Sequence, residues 1–100
     1  MSTIANLTFF PLDKGEELVE YVTEVIKVIQ DSGLPFILGP MSTVIEGEYD
    51  AVMAVTRDCF LTLQKKSRRV YMTLAIDYRE SDSFRMAAKV NGVKKRLGME

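Results

Sequence analysis

Apolar and polar positions alternate along two stretches of this chain, and apolar positions recur at helical spacing along three others. Residues 3 to 10, Thr-Ile-Ala-Asn-Leu-Thr-Phe-Phe, predict a first strand that Pro11 ends. Ala5, Leu7 and Phe9 share one face of it, and Ile4, Asn6, Thr8 and Phe10 the other. Arg69 to Tyr78 is the second such stretch, with Val70, Met72, Leu74 and Ile76 set against Tyr71, Thr73, Ala75 and Asp77. Two shorter runs, Phe36 to Leu38 and Thr43 to Glu46, flank Gly39-Pro40 and read as a hairpin. Pro40, lacking an amide hydrogen, belongs to the turn.

Three helices fill the intervals. Asp13-Lys14-Gly15-Glu16 offers a start for the first, with Asp13 as cap. Leu18, Val22, Ile26 and Ile29 form its stripe, with Val19 and Val25 flanking, and Gly33 makes its stop. Glu48-Tyr49-Asp50 leads into the second, whose stripe is Val52, Val55, Cys59 and Leu63 joined by Thr56 and Phe60. Ser81-Asp82-Ser83 offers caps for a last helix carrying Met86, Val90, Val93 and Leu97, a pattern weakened at Gly92. The order β-α-β-β-α-β, with this additional C-terminal helix, predicts an α+β fold. It is a ferredoxin-like sandwich: one domain over 1–100, strand order 4-1-3-2, and helices on one face of the sheet.

Such a sheet leaves its other face bare. Strand parity places Asn6, Thr8, Phe10, Val44, Glu46, Tyr71, Thr73, Ala75 and Asp77 there, a lining too apolar to stay wet and too polar for a core. It must meet a ligand or another copy of the chain. Ser42 and Thr43 beside the turn, with Glu46 just beyond, make the hairpin the place where ligand chemistry gathers.

Composition then removes whole classes of function. The chain has 100 residues, a formal net charge of −1, no histidine and one cysteine. Without histidine there is no Ser-His or Cys-His nucleophile and no His-ligated metal, and a single cysteine excludes a CxxC motif. No Gly-rich phosphate loop is present. Catalysis would rest on carboxylates, lysines or tyrosines alone, so a non-enzyme without a cofactor is expected. No signal-peptide pattern opens the chain, and no apolar run approaches the ~18 residues a membrane span needs. With Cys59 alone on a helical stripe, and so a core residue, a reducing cytoplasm is the expected location. Lys65, Lys66, Arg68 and Arg69 read as a solvated helix end and turn, the alternative being an anion or nucleic-acid contact.

The run Gly39-Pro40-Met41-Ser42-Thr43-Val44-Ile45-Glu46-Gly47-Glu48 resembles the central signature of the small thiamine-binding proteins related to YkoF, long filed as a family of unknown function. Ile4-Ala5-Asn6-Leu7-Thr8 with Pro11-Leu12 is similar to that family's opening strand, and Ile76-Asp77-Tyr78-Arg79 followed by Lys89 to its C-terminal pattern. The resemblance is collinear over nearly the whole chain. It implies a ferredoxin-like subunit that binds thiamine or its hydroxymethylpyrimidine moiety, as carrier or sensor. It also implies self-association through the sheets, as a homotetramer built from dimers.

Under this reading Glu46 and Asp77 accept from the pyrimidine's amino group or offset the thiazolium charge. Ser42, Thr43 and Asn6 serve the ring nitrogens, and Phe36 or Tyr71 provides an aromatic wall. Each assignment has a plainer counterpart. Ser42 and Thr43 suit an ordinary turn, and Phe36 suits the core. Glu46 and Asp77 suit ion pairs across a subunit contact with Arg57, Arg69 or Arg79. The alternative function is a structural, protein-interaction subunit whose open face serves oligomerisation only. RNA binding on the same strand order would need a basic face, whereas Val44, Glu46 and Glu48 occupy the third strand. Acyl-phosphate hydrolysis would need an anion cradle that Phe9-Phe10-Pro11-Leu12-Asp13 does not offer.

Overall fold

The structure, a computed structural model, describes residues 2–16, 18–80 and 85–99. Its elements run β1 (Ser2–Pro11), α1 (Val19–Asp31), β2 (Phe36–Leu38), β3 (Thr43–Gly47), α2 (Tyr49–Gln64), β4 (Val70–Arg79) and α3 (Met86–Arg96). The four strands make one antiparallel sheet in the order β2-β3-β1-β4, which is the ferredoxin-like order expected. Asn6 stands opposite Val44 on one side and Ala75 on the other, and Thr8 opposite Thr73. Ile4 lies between Glu46 and Asp77. Cross-strand partners share a face, so the face assignments read from alternation hold across the whole sheet.

The other face carries the core. Ala5, Leu7 and Phe9 of β1 and Ile45 of β3 pack against Val25 and Ile29 of α1 and Val52, Val55, Cys59 and Leu63 of α2. Burial, reinforced by the neighbouring Asp58 charge, pushes the Cys59 thiol up to about 12, so it is a small core side chain with no thiolate character. Gly33, at φ +78°, closes α1 in the left-handed conformation expected of it.

One boundary differs from expectation. The first helix starts at Val19 rather than near Asp13, because Gly15 at φ +74° turns the chain out of helical geometry. Asp13 caps nothing there. Its carboxylate accepts instead from the Ser67 hydroxyl (2.5 Å) and the Arg68 N–H (2.9 Å), fastening the turn before β4, and these bonds hold it below the ordinary carboxylate range. Pro11 ends β1 as expected, as its last residue, where β4 alone pairs with it and the other flank asks for no N–H. The caps expected at Ser81-Asp82-Ser83 lie outside the described residues.

Candidate functional site

The hairpin turn and the free end of β1 enclose a cleft of about 270 Å³, lined by β1 at Leu7–Phe10, by the turn from Leu38 to Thr43, and by Leu18 and Val22 before and within α1. It exists because the β1–β3 ladder stops at Leu7 opposite Thr43, while β1 runs on to Pro11 beside β4. Gly39 makes the turn tight: its N–H donates to the Ser42 carbonyl (2.9 Å), and a Cβ added there would sit 2.7 Å from that same oxygen. The Thr8 hydroxyl donates across the mouth to the Met41 carbonyl (3.3 Å). On the open face beside the mouth, the rings of Phe10 and Tyr71 lie 5.2 Å apart in a tilted pair. The cleft therefore offers apolar walls, the three side-chain hydroxyls of Thr8, Ser42 and Thr43, and backbone groups, and none of its lining side chains is charged.

The opposite end of the open face is occupied by the chain itself. Glu46, 1% exposed, accepts at Oε2 from the Ser2 hydroxyl (2.6 Å) and the Arg85 N–H (2.6 Å), and at Oε1 from the Met86 N–H (2.9 Å). A strand carboxylate thus caps α3, where the helix dipole favours it. Burial alone would raise its pKa, but the Ser2 hydroxyl, the Arg85 and Met86 amides and the Arg85 charge outweigh burial and hold it below the ordinary value. The Arg85 guanidinium reaches the carbonyls of Ser2 (3.2 Å) and Asp77 (3.0 Å) and the Asp77 carboxylate (3.3 Å), which also accepts from Lys89 (2.6 Å). The cation partners of these two acids are therefore Arg85 and Lys89 of the same chain, in place of Arg57, Arg69 or Arg79, because α3 starts on the open face.

A model of the thiamine-binding protein family matches residues 5–94. The chain belongs to this family. Across 98 residues it is 37% identical to the UPF0045 protein Mb1933 of Mycobacterium bovis, an alignment covering 97% of this chain and 96% of that one. The UPF0045 protein YqgV of Bacillus subtilis is 30% identical over 94% of this chain and 96% of its own. Among solved structures, protein MJ1052 of Methanocaldococcus jannaschii superposes with a TM-score of 0.86 at 26% identity, covering 94% of this chain and 97% of that one. A Thermotoga maritima protein assigned provisionally to thiamine biosynthesis or salvage has a TM-score of 0.81 at 22% identity, over 93% and 99% of the two chains.

Within this thiamine-binding-family chain, the six residues singled out from sequence fall into three places. Ser42 and Thr43 line the cleft, and Asn6 is exposed on the open face one row below Thr8. Glu46 and Asp77 lie at the far end, engaged with α3. Phe36, opposite Ile45, packs on the core side of the sheet. Sequence reasoning did not select Thr8, Phe9, Leu18, Val22 or Met41. Parity had put Thr8 and Phe10 on the correct face, and the missing signal was how far β3 extends along β1. Two roomier hollows of about 600 and 610 Å³ lie along the helices and touch none of the six. Among the described residues no group of acids and Cys59 is placed to hold a metal, and no helix is long and apolar enough to cross a membrane.

Proposed function

We propose that this chain is a non-enzymatic binding protein for thiamine or its hydroxymethylpyrimidine moiety, acting in the cytoplasm as a carrier or sensor. The observation that carries this reading is the uncharged cleft beside the hairpin turn, in a chain of the thiamine-binding family. Its volume of about 270 Å³ suits one substituted ring rather than a whole two-ring vitamin, being near the lower end of the ~300–1,000 Å³ that small-molecule sites occupy. The pyrimidine would enter, with Ser42 and Thr8 at its polar edge. The remainder would lie along the open face towards Asn6 and the Phe10–Tyr71 pair.

Self-association accompanies the reading, as a homotetramer built from dimers. It is favoured by the apolar stripe of α3, where Val90, Val93 and Leu97 are 44%, 58% and 67% exposed. The same stripe favours the second reading, an interaction subunit with no metabolite. A thermal-shift titration separates the two: ligand at 100 times its Kd should stabilise the protein by ~2.7 kcal/mol. No shift with millimolar thiamine or hydroxymethylpyrimidine leaves only the interaction subunit.

A further inference from the structure

In an antiparallel ladder each residue turns its N–H and C=O to the same side, and successive residues turn to opposite sides. Leu12, just past β1, donates its N–H to the Arg69 carbonyl on the β4 side (2.8 Å). Even-numbered residues of β1 therefore address β4 and odd-numbered ones address β3. Leu7 is the last odd residue to meet β3, at Thr43. Phe9 is the next. Its N–H and C=O point to the flank that β3 leaves vacant, which is the wall of the cleft at the hairpin turn.

Among the described residues, no hydrogen bond from the turn or from a side chain reaches these two groups, and the bond that crosses beside them runs from Thr8 to Met41. Phe9 is 7% exposed. A backbone donor and acceptor in such surroundings call for a partner. A peptide strand would be a poor one, because the next odd residue, Pro11, has no N–H and the flank offers a single donor. A small planar molecule with one acceptor beside one donor would satisfy both groups at once. The twelve residues lining the cleft include no charged side chain, so nothing in it would neutralise a phosphate or a cation.

We propose that the main chain of Phe9 is the recognition edge of the site. Its N–H donates to a ring nitrogen and its C=O accepts from the adjacent exocyclic amino group of a flat, uncharged heteroaromatic. This deepens the function proposed above and rests on it, since a 4-aminopyrimidine carries that donor–acceptor edge. Charged portions of a larger ligand would stay outside, on the open face.

The experiment is a titration of ¹⁵N-labelled protein with 4-amino-5-hydroxymethyl-2-methylpyrimidine and with its 4-dimethylamino analogue, which keeps the ring and loses the donor. The expected result is a Phe9 amide resonance among the most displaced by the amino compound, and an affinity for the analogue at least tenfold weaker. Binding of both compounds with equal affinity, or binding of the amino compound with the Phe9 amide unmoved, overturns the recognition edge while the binding function stands. Failure of both compounds and of thiamine to perturb any resonance removes the function itself, and the edge with it.

Discussion

Glu46 shows how one side chain can be readable in type and unreadable in role. Its position on the open face follows from the alternation of β3, and the register with Ile4 and Asn6's neighbour Val44 agrees. Its partners do not follow, because the amides it caps belong to residues 39 and 40 positions further along and carry no local signature in the strand. Glu46→Gln should cost about 1–3 kcal/mol at pH 7, since a buried set of donors loses its charged acceptor. Urea unfolding measures this. The pH dependence has a definite sign. A carboxylate held below its ordinary value of 4.5 in the folded protein stabilises above that pH, and the contribution is lost as pH falls through the lowered value. Amide exchange across residues 86–96, taken relative to the intrinsic rate at each pH, should therefore accelerate on acidification below about pH 4.5 in the native protein. In Glu46→Gln it should be fast already at pH 7. Equal exchange in the two proteins at neutral pH would mean that α3 is held without Glu46, through the bonds of Arg85 and Lys89 to Asp77. Gly39 is the opposite case, a residue whose role was plain beforehand from the Gly-Pro pair between two short apolar runs.

At the level of the element, strand pattern was a better guide than helix ends. Period-two alternation is rigid, and a one-residue error would invert a face, so Ala5, Leu7 and Phe9 could be assigned to the core from sequence alone. Helix starts depend on where a carboxylate finds donors. Asp13 found them at Ser67 and Arg68, 54 and 55 residues away, and α1 begins after a Gly15 turn instead. The cleft escaped notice for a related reason: it is made by β3 being shorter than β1, and pairing length is a property of two elements together. The turn that closes it can be tested alone. Gly39→Ala places a Cβ against the Ser42 carbonyl, and the shift it forces should cost about 1–3 kcal/mol in stability. Affinity for hydroxymethylpyrimidine should fall roughly tenfold or more, 1.4 kcal/mol being one decade. Calorimetric titration and urea unfolding read the two effects separately. An unchanged affinity in a variant of reduced stability would detach the turn from binding.

Across the whole molecule, the two faces of the sheet are treated differently. One is sealed by α1 and α2, while the other is covered, among the described residues, where α3 begins, leaving Ile37, Tyr71 and the α3 stripe turned outward. If these surfaces meet in an assembly, the pair Val90→Glu and Val93→Glu should lower the mass in solution to that of one chain without unfolding it, since neither side chain is buried here. Sedimentation equilibrium and circular dichroism check this, and native protein that already sediments as a monomer would dispose of the assembly. The Glu46 cap also bears on synthesis. The acid leaves the ribosome 39 residues ahead of the first amide that receives it. Until Arg85 emerges, a nascent chain can shape its hairpin and α2 only with a negative charge on the sheet that has the Ser2 hydroxyl but not the α3 amides as partners, where withdrawing it from water is costly. The cap thus closes late in the order of synthesis, and a chain cut short before Arg85 should keep a sheet whose carboxylate lacks its α3 donors.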